Sequence, residues 1–258
     1  MGRQRGAGGA AVAVALLLGA SGCGGPGGSG DGKPAASISP SAAAPAPASA
    51  SPSVPAPAPS ASGGDGDAKP ASGDVLPGMV SAAVARTRLA ALTTGRPGTM
   101  AGYSRDRFTH WAEQGGSCDT RETVLKRDGT EVTQDAQCRA VSGRWKSLYD
   151  GVAVNEAAKL DIDHMVPLAE AWRSGASGWD AAKRKAFAND LTRPQLLAVS
   201  ASSNRSKGDQ SPDLWQPPDK SSWCQYGRAW TTVKSHYGLT VTDAERTMLT
   251  TMIDTCAA

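Results

Sequence analysis

Asp161-Ile162-Asp163-His164-Met165-Val166-Pro167, followed downstream by Asn204-Arg205-Ser206-Lys207, decides how the rest of this 258-residue chain is read. The two stretches combine a carboxylate, an imidazole and a later amide oxygen. Asp163 and Asn204 offer hard oxygens to a divalent cation, and His164, next to one of them, is placed to take a proton from water. A one-metal phosphodiesterase needs that trio. With an ordinary histidine pKa of ~6.5, His164 is expected to be neutral and base-competent above that pH.

The residues around the trio follow a strand, strand, helix order. Residues 158–165 alternate as a strand that delivers Asp163 and His164 at its end, where Pro167 breaks the ladder. In the insertion that follows, 168–172 reads as helix, 175–178 as loop, and Asp180 caps a basic helix running through Ala188. Residues 195–199 form the second strand. Ser200 or Ser202 then opens a helix that holds Asn204 and Lys207, three residues apart, on one face. A lone Asp-His pair is weak evidence, because a histidine at a strand end is often only a hydrogen-bonded surface group. Asp-His-x-x-Pro followed by Asn-x-x-Lys, with an aliphatic strand between them, is far more specific.

On these residues and the surrounding stretch 196–209, the chain resembles the HNH (ββα-metal) endonucleases, and among them the secreted GmrSD-type HNH domains, over roughly residues 103–256. The resemblance implies an α+β fold, with an HNH ββα-metal core joined by additional helices and disulfides. It makes His164 the general base, with Asp163 and Asn204 as the metal ligands. It also implies one divalent ion, Mg²⁺ first and Mn²⁺, Ca²⁺ or Zn²⁺ after it, and a nucleic acid substrate, DNA before RNA. The middle position of the pattern, usually an Asn that steadies the histidine, falls at Gln195; Asn189 lies nearby at the wrong spacing. Lys207 matches a lysine found after the second ligand, where a cation offsets phosphate or leaving-group charge. Lys207 and Arg205 are therefore expected at the substrate. A Cys-Asp-Thr-Arg stretch such as 118–121 leads similar domains into their strands. Arg121 is then either a phosphate contact or a scaffold residue paired with Asp119 or Asp163. Asp161 and Asp209 receive no role beyond capping or solvation.

The remainder of the chain sets the context. Arg3 and Arg5 precede an apolar run at 10–19 that has signal-peptide length and is shorter than the ~20 residues a spanning helix needs. Ala20-Ser21-Gly22-Cys23 resembles a lipobox, so 1–23 reads as a lipoprotein signal peptide with Cys23 acylated and the protein anchored to a membrane outside the cytoplasm. Without acylation the protein is secreted. Residues 24–75 are nearly all Gly, Ala, Pro and Ser and read as a disordered tether, too poor in apolar surface to offset chain entropy. Residues 76–258 read as one endonuclease domain. A net charge of only +3 argues against a strongly basic nonspecific nucleic-acid coat.

Cys118, Cys138, Cys224 and Cys256 include no Cys-x-x-Cys pair, and in an exported chain they read as disulfides. Of three connectivities, Cys118 with Cys138 and Cys224 with Cys256 is preferred, because it closes two local loops, each worth on the order of 3 kcal/mol. Residues 79–92 read as a packing helix. Ser104 caps a short helix carrying Phe108 and Trp111, and 132–145 reads as a hairpin around Ser142-Gly143. His110 and His236 read as structural, and Trp172, Trp179, Trp215, Trp223 and Trp230 as core. No protein partner is implied. Two other classes share parts of this pattern: a catalytically inactive HNH-fold binding module, and a surface lipoprotein acting on cell-wall polymer.

Overall fold

A computed structural model describes residues 76–257; the signal-peptide, Cys23 and tether readings lie outside the described residues. In chain order the described part contains α1 (Ala82–Ala91), a 3-10 turn at Arg105–Arg107, β1 (Glu113–Gly115), β2 (Cys118–Asp119), α2 (Thr120–Asp128), β3 (Thr130–Gln134), β4 (Ala140–Lys146) and β5 (Ala153–Val154). It continues with β6 (Leu160–His164), α3 (Leu168–Arg173), α4 (Ala181–Ala188), β7 (Leu196–Ser200), α5 (Ala201–Lys207), α6 (Trp223–Tyr237) and α7 (Asp243–Asp254). The strands form three small antiparallel sheets, β1-β2, β3-β4-β5 and β6-β7. This is an α+β fold.

The β6-β7 hairpin is the centre of the domain. Its register pairs Asp161 with Val199, Ile162 with Ala198, Asp163 with Leu197 and His164 with Leu196. Side chains alternate across a strand, so the two faces differ in content. Leu160, Ile162, Leu196 and Ala198 pack against Val124 and Leu125 of α2 and Trp145 of β4. Leu197 and Val199 turn the other way into the larger core with Tyr149, Tyr226, Trp230 and Val233. Every residue of β7 is buried, which matches its uninterrupted aliphatic run. After β7, Ser200 accepts the backbone N–H of Ser203 and so caps α5.

A helical layer of α1, α6 and α7 backs the hairpin. Helix α7 starts with a full capping box between Thr242 and Glu245. It crosses α6 at Gly227, where a Cβ would lie 2.9 Å from that of Met252, so only glycine lets the helices meet. Arg246 of α7 donates to the carbonyls of Leu89 and Leu92, satisfying the end of α1. Disulfides join Cys118 to Cys138 and Cys224 to Cys256, the preferred connectivity.

Several local expectations are corrected. Residues 120–128 form a helix, because the Asp119 carboxylate accepts the Glu122 N–H. Ser104 caps only a 3-10 turn, and Phe108 and Trp111 lie beyond it. The hairpin of β3 and β4 turns at Asp135, whose Oδ1 accepts the N–H groups of Gln137 and Arg139, and not at Ser142-Gly143. Gly143 sits inside β4, where the indole of Trp145 lies across its bare backbone.

Candidate functional site

His164 ends β6 on the face shared with Leu196 and is only 4% exposed. Its Nε2 donates to the Ala188 carbonyl at 2.9 Å, so Nδ1 keeps its lone pair and has no hydrogen-bond partner among the described residues. Burial drives its pKa down to about 3, assisted by the charges of Arg105, His110 and Lys207 and opposed by the Ala188 bond. The ring is thus neutral at any physiological pH, a change from the ordinary value near 6.5 assumed from sequence. Ala188 is the last residue of α4, so the insertion between the two strands supplies the imidazole's partner.

Asp161 and Asp163 point from the opposite face of β6 toward α5. Helical periodicity places Asn204 and Lys207 on the facing side of α5, and each meets one carboxylate: Asn204 Nδ2 donates to Asp161 at 3.1 Å, and Lys207 Nζ to Asp163 at 2.8 Å. The same Asp163 oxygen accepts the Tyr149 hydroxyl at 2.5 Å, while Lys207 also reaches the His164 carbonyl at 2.9 Å. Lys207 is fully buried and Asp163 nearly so. Burial pushes the Asp163 carboxyl up and the Lys207 ammonium down, and each charge opposes the shift of the other. Tyr149 stays a phenol, because burial and the Asp163 charge hold its pKa well above the usual range.

The predicted residues therefore separate into pairs. Asp163 and Asn204, expected to share a cation, have different partners. An ammonium already neutralises Asp163, and a divalent ion there would compete with it. Asn204 and Asp161 each carry a hard-oxygen ligand atom, and they are joined by the hydrogen bond from Asn204 Nδ2 to the Asp161 carboxylate. Among the described residues no three His, Cys, Asp or Glu side chains converge as an all-protein zinc cage would require.

Among the described residues the Gln195 side chain makes no hydrogen bond to His164. It is fully buried and clamps Val166, accepting from its N–H at 3.1 Å and donating to its carbonyl at 3.0 Å, which fixes the chain just after β6. Arg121 is a scaffold residue paired with neither Asp119 nor Asp163: its guanidinium donates to the Ala157 and Leu160 carbonyls at 3.3 and 3.1 Å. Lys207, being buried against Asp163, is not free to meet a phosphate, whereas Arg205 is exposed on α5. Asp209 binds Arg173. Sequence reasoning missed Tyr149, Asp150 and Asp161. Asp150 accepts Ser203 Oγ at 2.7 Å and also the Ser200 hydroxyl, which anchors the start of α5. The turn sequence Tyr149-Asp150-Gly151 was the available signal for the first two.

An uncharacterized secreted protein of Arthroderma benhamiae (strain ATCC MYA-4681 / CBS 112371) is 51% identical over 189 residues, covering 73% of this chain and 93% of that protein. No solved structure matches. The family described as GmrSD restriction endonucleases, C-terminal domain, matches residues 119–252, from the cap of α2 into α7 and including the whole β6-β7-α5 unit. The chain belongs to the GmrSD restriction endonuclease C-terminal domain family.

Proposed function

We propose that the protein is an exported HNH-type endonuclease that hydrolyses phosphodiester bonds in nucleic acid, DNA before RNA, with His164 as general base and one divalent cation, Mg²⁺ before Mn²⁺. The observation that carries the reading is the fixed orientation of His164: Nε2 tied to the Ala188 carbonyl, Nδ1 left with a lone pair. In the reaction Nδ1 takes a proton from water, the water oxygen bonds to phosphorus, and the bond to the leaving oxygen breaks. As the ring gains charge, its Nε2–H bond to Ala188 becomes charge-assisted and steadies the imidazolium. When bound, a cation would rest on Asn204 and Asp161 and would offset charge developing on the phosphate. Asp163 and Lys207 hold β6 against α5. The disulfides and the secreted relative support export, and we extend the proposal to acylation at Cys23.

A second reading, a binding module on an HNH scaffold, is favoured by the closed Lys207–Asp163 pair and by the engagement of the Gln195 amide with Val166. Nicking of supercoiled plasmid separates the two. The purified chain should nick with Mg²⁺ or Mn²⁺ and stop with chelator; His164→Ala should be inactive while still binding Mn²⁺; Asn204→Ala should bind Mn²⁺ more weakly. No nicking with either cation would remove the endonuclease assignment, and equal nicking by His164→Ala, or in chelator, would remove His164 as base or the metal requirement.

A further inference from the structure

The residues that follow the Arg105–Arg107 turn run past the imidazole face of β6. The indole of Trp111 lies beside His164, with ring centroids 5.9 Å apart and planes at 33°. His110 stands edge-on to that indole at 5.3 Å, its Nδ1 tied to the Phe108 carbonyl at 2.9 Å. Arg105, in the turn six residues before Trp111, is exposed and makes no ion pair or side-chain hydrogen bond among the described residues.

Trp111 is one of four partly buried tryptophans, with Trp179, Trp215 and Trp223, and of these it is the one whose ring contacts His164. Its φ is +57°, a left-handed conformation that is strained for a bulky side chain and persists only where neighbours enforce it. Those neighbours are identifiable. Asn189 Oδ1 accepts the Ala112 N–H at 2.8 Å, and Asn189 Nδ2 donates to the Thr109 and Lys185 carbonyls at 2.7 and 2.8 Å. Thr120 Oγ1 donates to the Ala112 carbonyl at 3.0 Å. Asn189 immediately follows Ala188, whose carbonyl holds His164. One dipeptide at the end of α4 thus fixes both the imidazole and the indole, an arrangement that packing alone does not require.

We propose that Trp111 and Arg105 form the substrate-binding wall on the imidazole side: the indole stacks on a nucleobase flanking the phosphate presented to His164, and Arg105 contacts a neighbouring phosphate. The inference rests on the endonuclease reading. A partly exposed indole and an unpaired guanidinium on one short stretch of chain are the combination that binds bases by stacking and the strand by charge. Asn189 is a positioning residue for the indole, and Ala188 for the imidazole.

Fluorescence anisotropy of the full chain in chelator, without turnover, tests this using fluorescein-labelled (dT)₈ and an abasic tetrahydrofuran octamer of equal charge. The wild type should prefer (dT)₈ by roughly 10-fold, the size of one stacked base. Trp111→Leu should bring that preference close to one, whereas Trp111→Phe should keep most of it. Arg105→Ala should weaken both octamers alike and lower the log–log salt slope by roughly 0.7, one phosphate on a single strand. A Trp111 that merely shields His164 would leave the base preference intact in Trp111→Leu, and that result, or an unchanged salt slope in Arg105→Ala, would overturn the proposal. Arg105 is exposed, so its variant reads out even where a Trp111 variant fails to fold. If the wild type nicks plasmid but shows no base preference, this wall is wrong and the endonuclease reading stands. If it neither nicks nor binds, both fall.

Discussion

Because it is enclosed, His164 titrates far from its ordinary range. Its pKa is about 3 in the folded protein and ~6.5 in the unfolded chain. Between those values the unfolded state binds a proton that the folded state refuses, so stability falls as pH drops from ~6.5 toward 3, by up to ~1.4 kcal/mol per pH unit. Denaturant titrations at pH 7, 5 and 4 should show this loss in wild type and a smaller one in His164→Gln; equal slopes would assign it to other groups. Lys207 makes a second prediction. Removing one partner of a fully buried pair strands the other charge, so Lys207→Met should cost about 3–5 kcal/mol, and adding Asp163→Leu to it should recover part of that loss. Additive losses in a double-mutant cycle would contradict the pairing. The sequence shows that Asn204 and Lys207 share a helix face. It does not show which carboxylates they meet, because the register of α5 on β6 is set by contacts far apart in the chain. The same limit hides the Ala188 carbonyl: a backbone acceptor from a separate helix leaves no residue signature.

Elements with local punctuation are legible. Asp180 caps α4 and Ser200 caps α5 as their side-chain chemistry dictates, and the alternating stretch at 158–165 contains β6. Helix α2 shows the opposite outcome. Asp119 followed by Glu122 is a helix-start signal, yet the resemblance of the neighbouring residues favoured strands. Helices α6 and α7 passed unread: α6 buries nine of its fifteen residues, and its Trp, Tyr and Thr content blurs the amphipathic period. The Cys224–Cys256 bridge ties the first turn of α6 to the end of α7, closing a 32-residue separation. Reduction should therefore lower stability by on the order of 3 kcal/mol and should first loosen these two helices, which hydrogen exchange can locate. If protection is lost first in β6-β7, the helical layer does not depend on the bridge.

At the scale of the whole molecule, the family match spans residues 119–252, and none of the described helices is long and apolar enough to cross a membrane. Membrane attachment in the proposal therefore falls to Cys23. Wild-type protein should require detergent for extraction, and Cys23→Ala should accumulate unprocessed or reach the medium; equal free release of both would remove the anchor. Within the domain, Trp230 joins two regions described separately above. Lys207 Nζ and Lys234 Nζ each lie 5.8 Å from its ring centroid, and its Nε1 donates to Glu245 at 2.6 Å. Lys234 in turn binds Glu170 and Glu245 in the helical layer. The same indole is therefore shared by the charge pair under the candidate site and by the ion network of the helices. Removing Lys207 would take one of two cations from the ring whose Nε1 holds Glu245, so a change in the charge pair beneath the hairpin bears directly on the ion network of the helices.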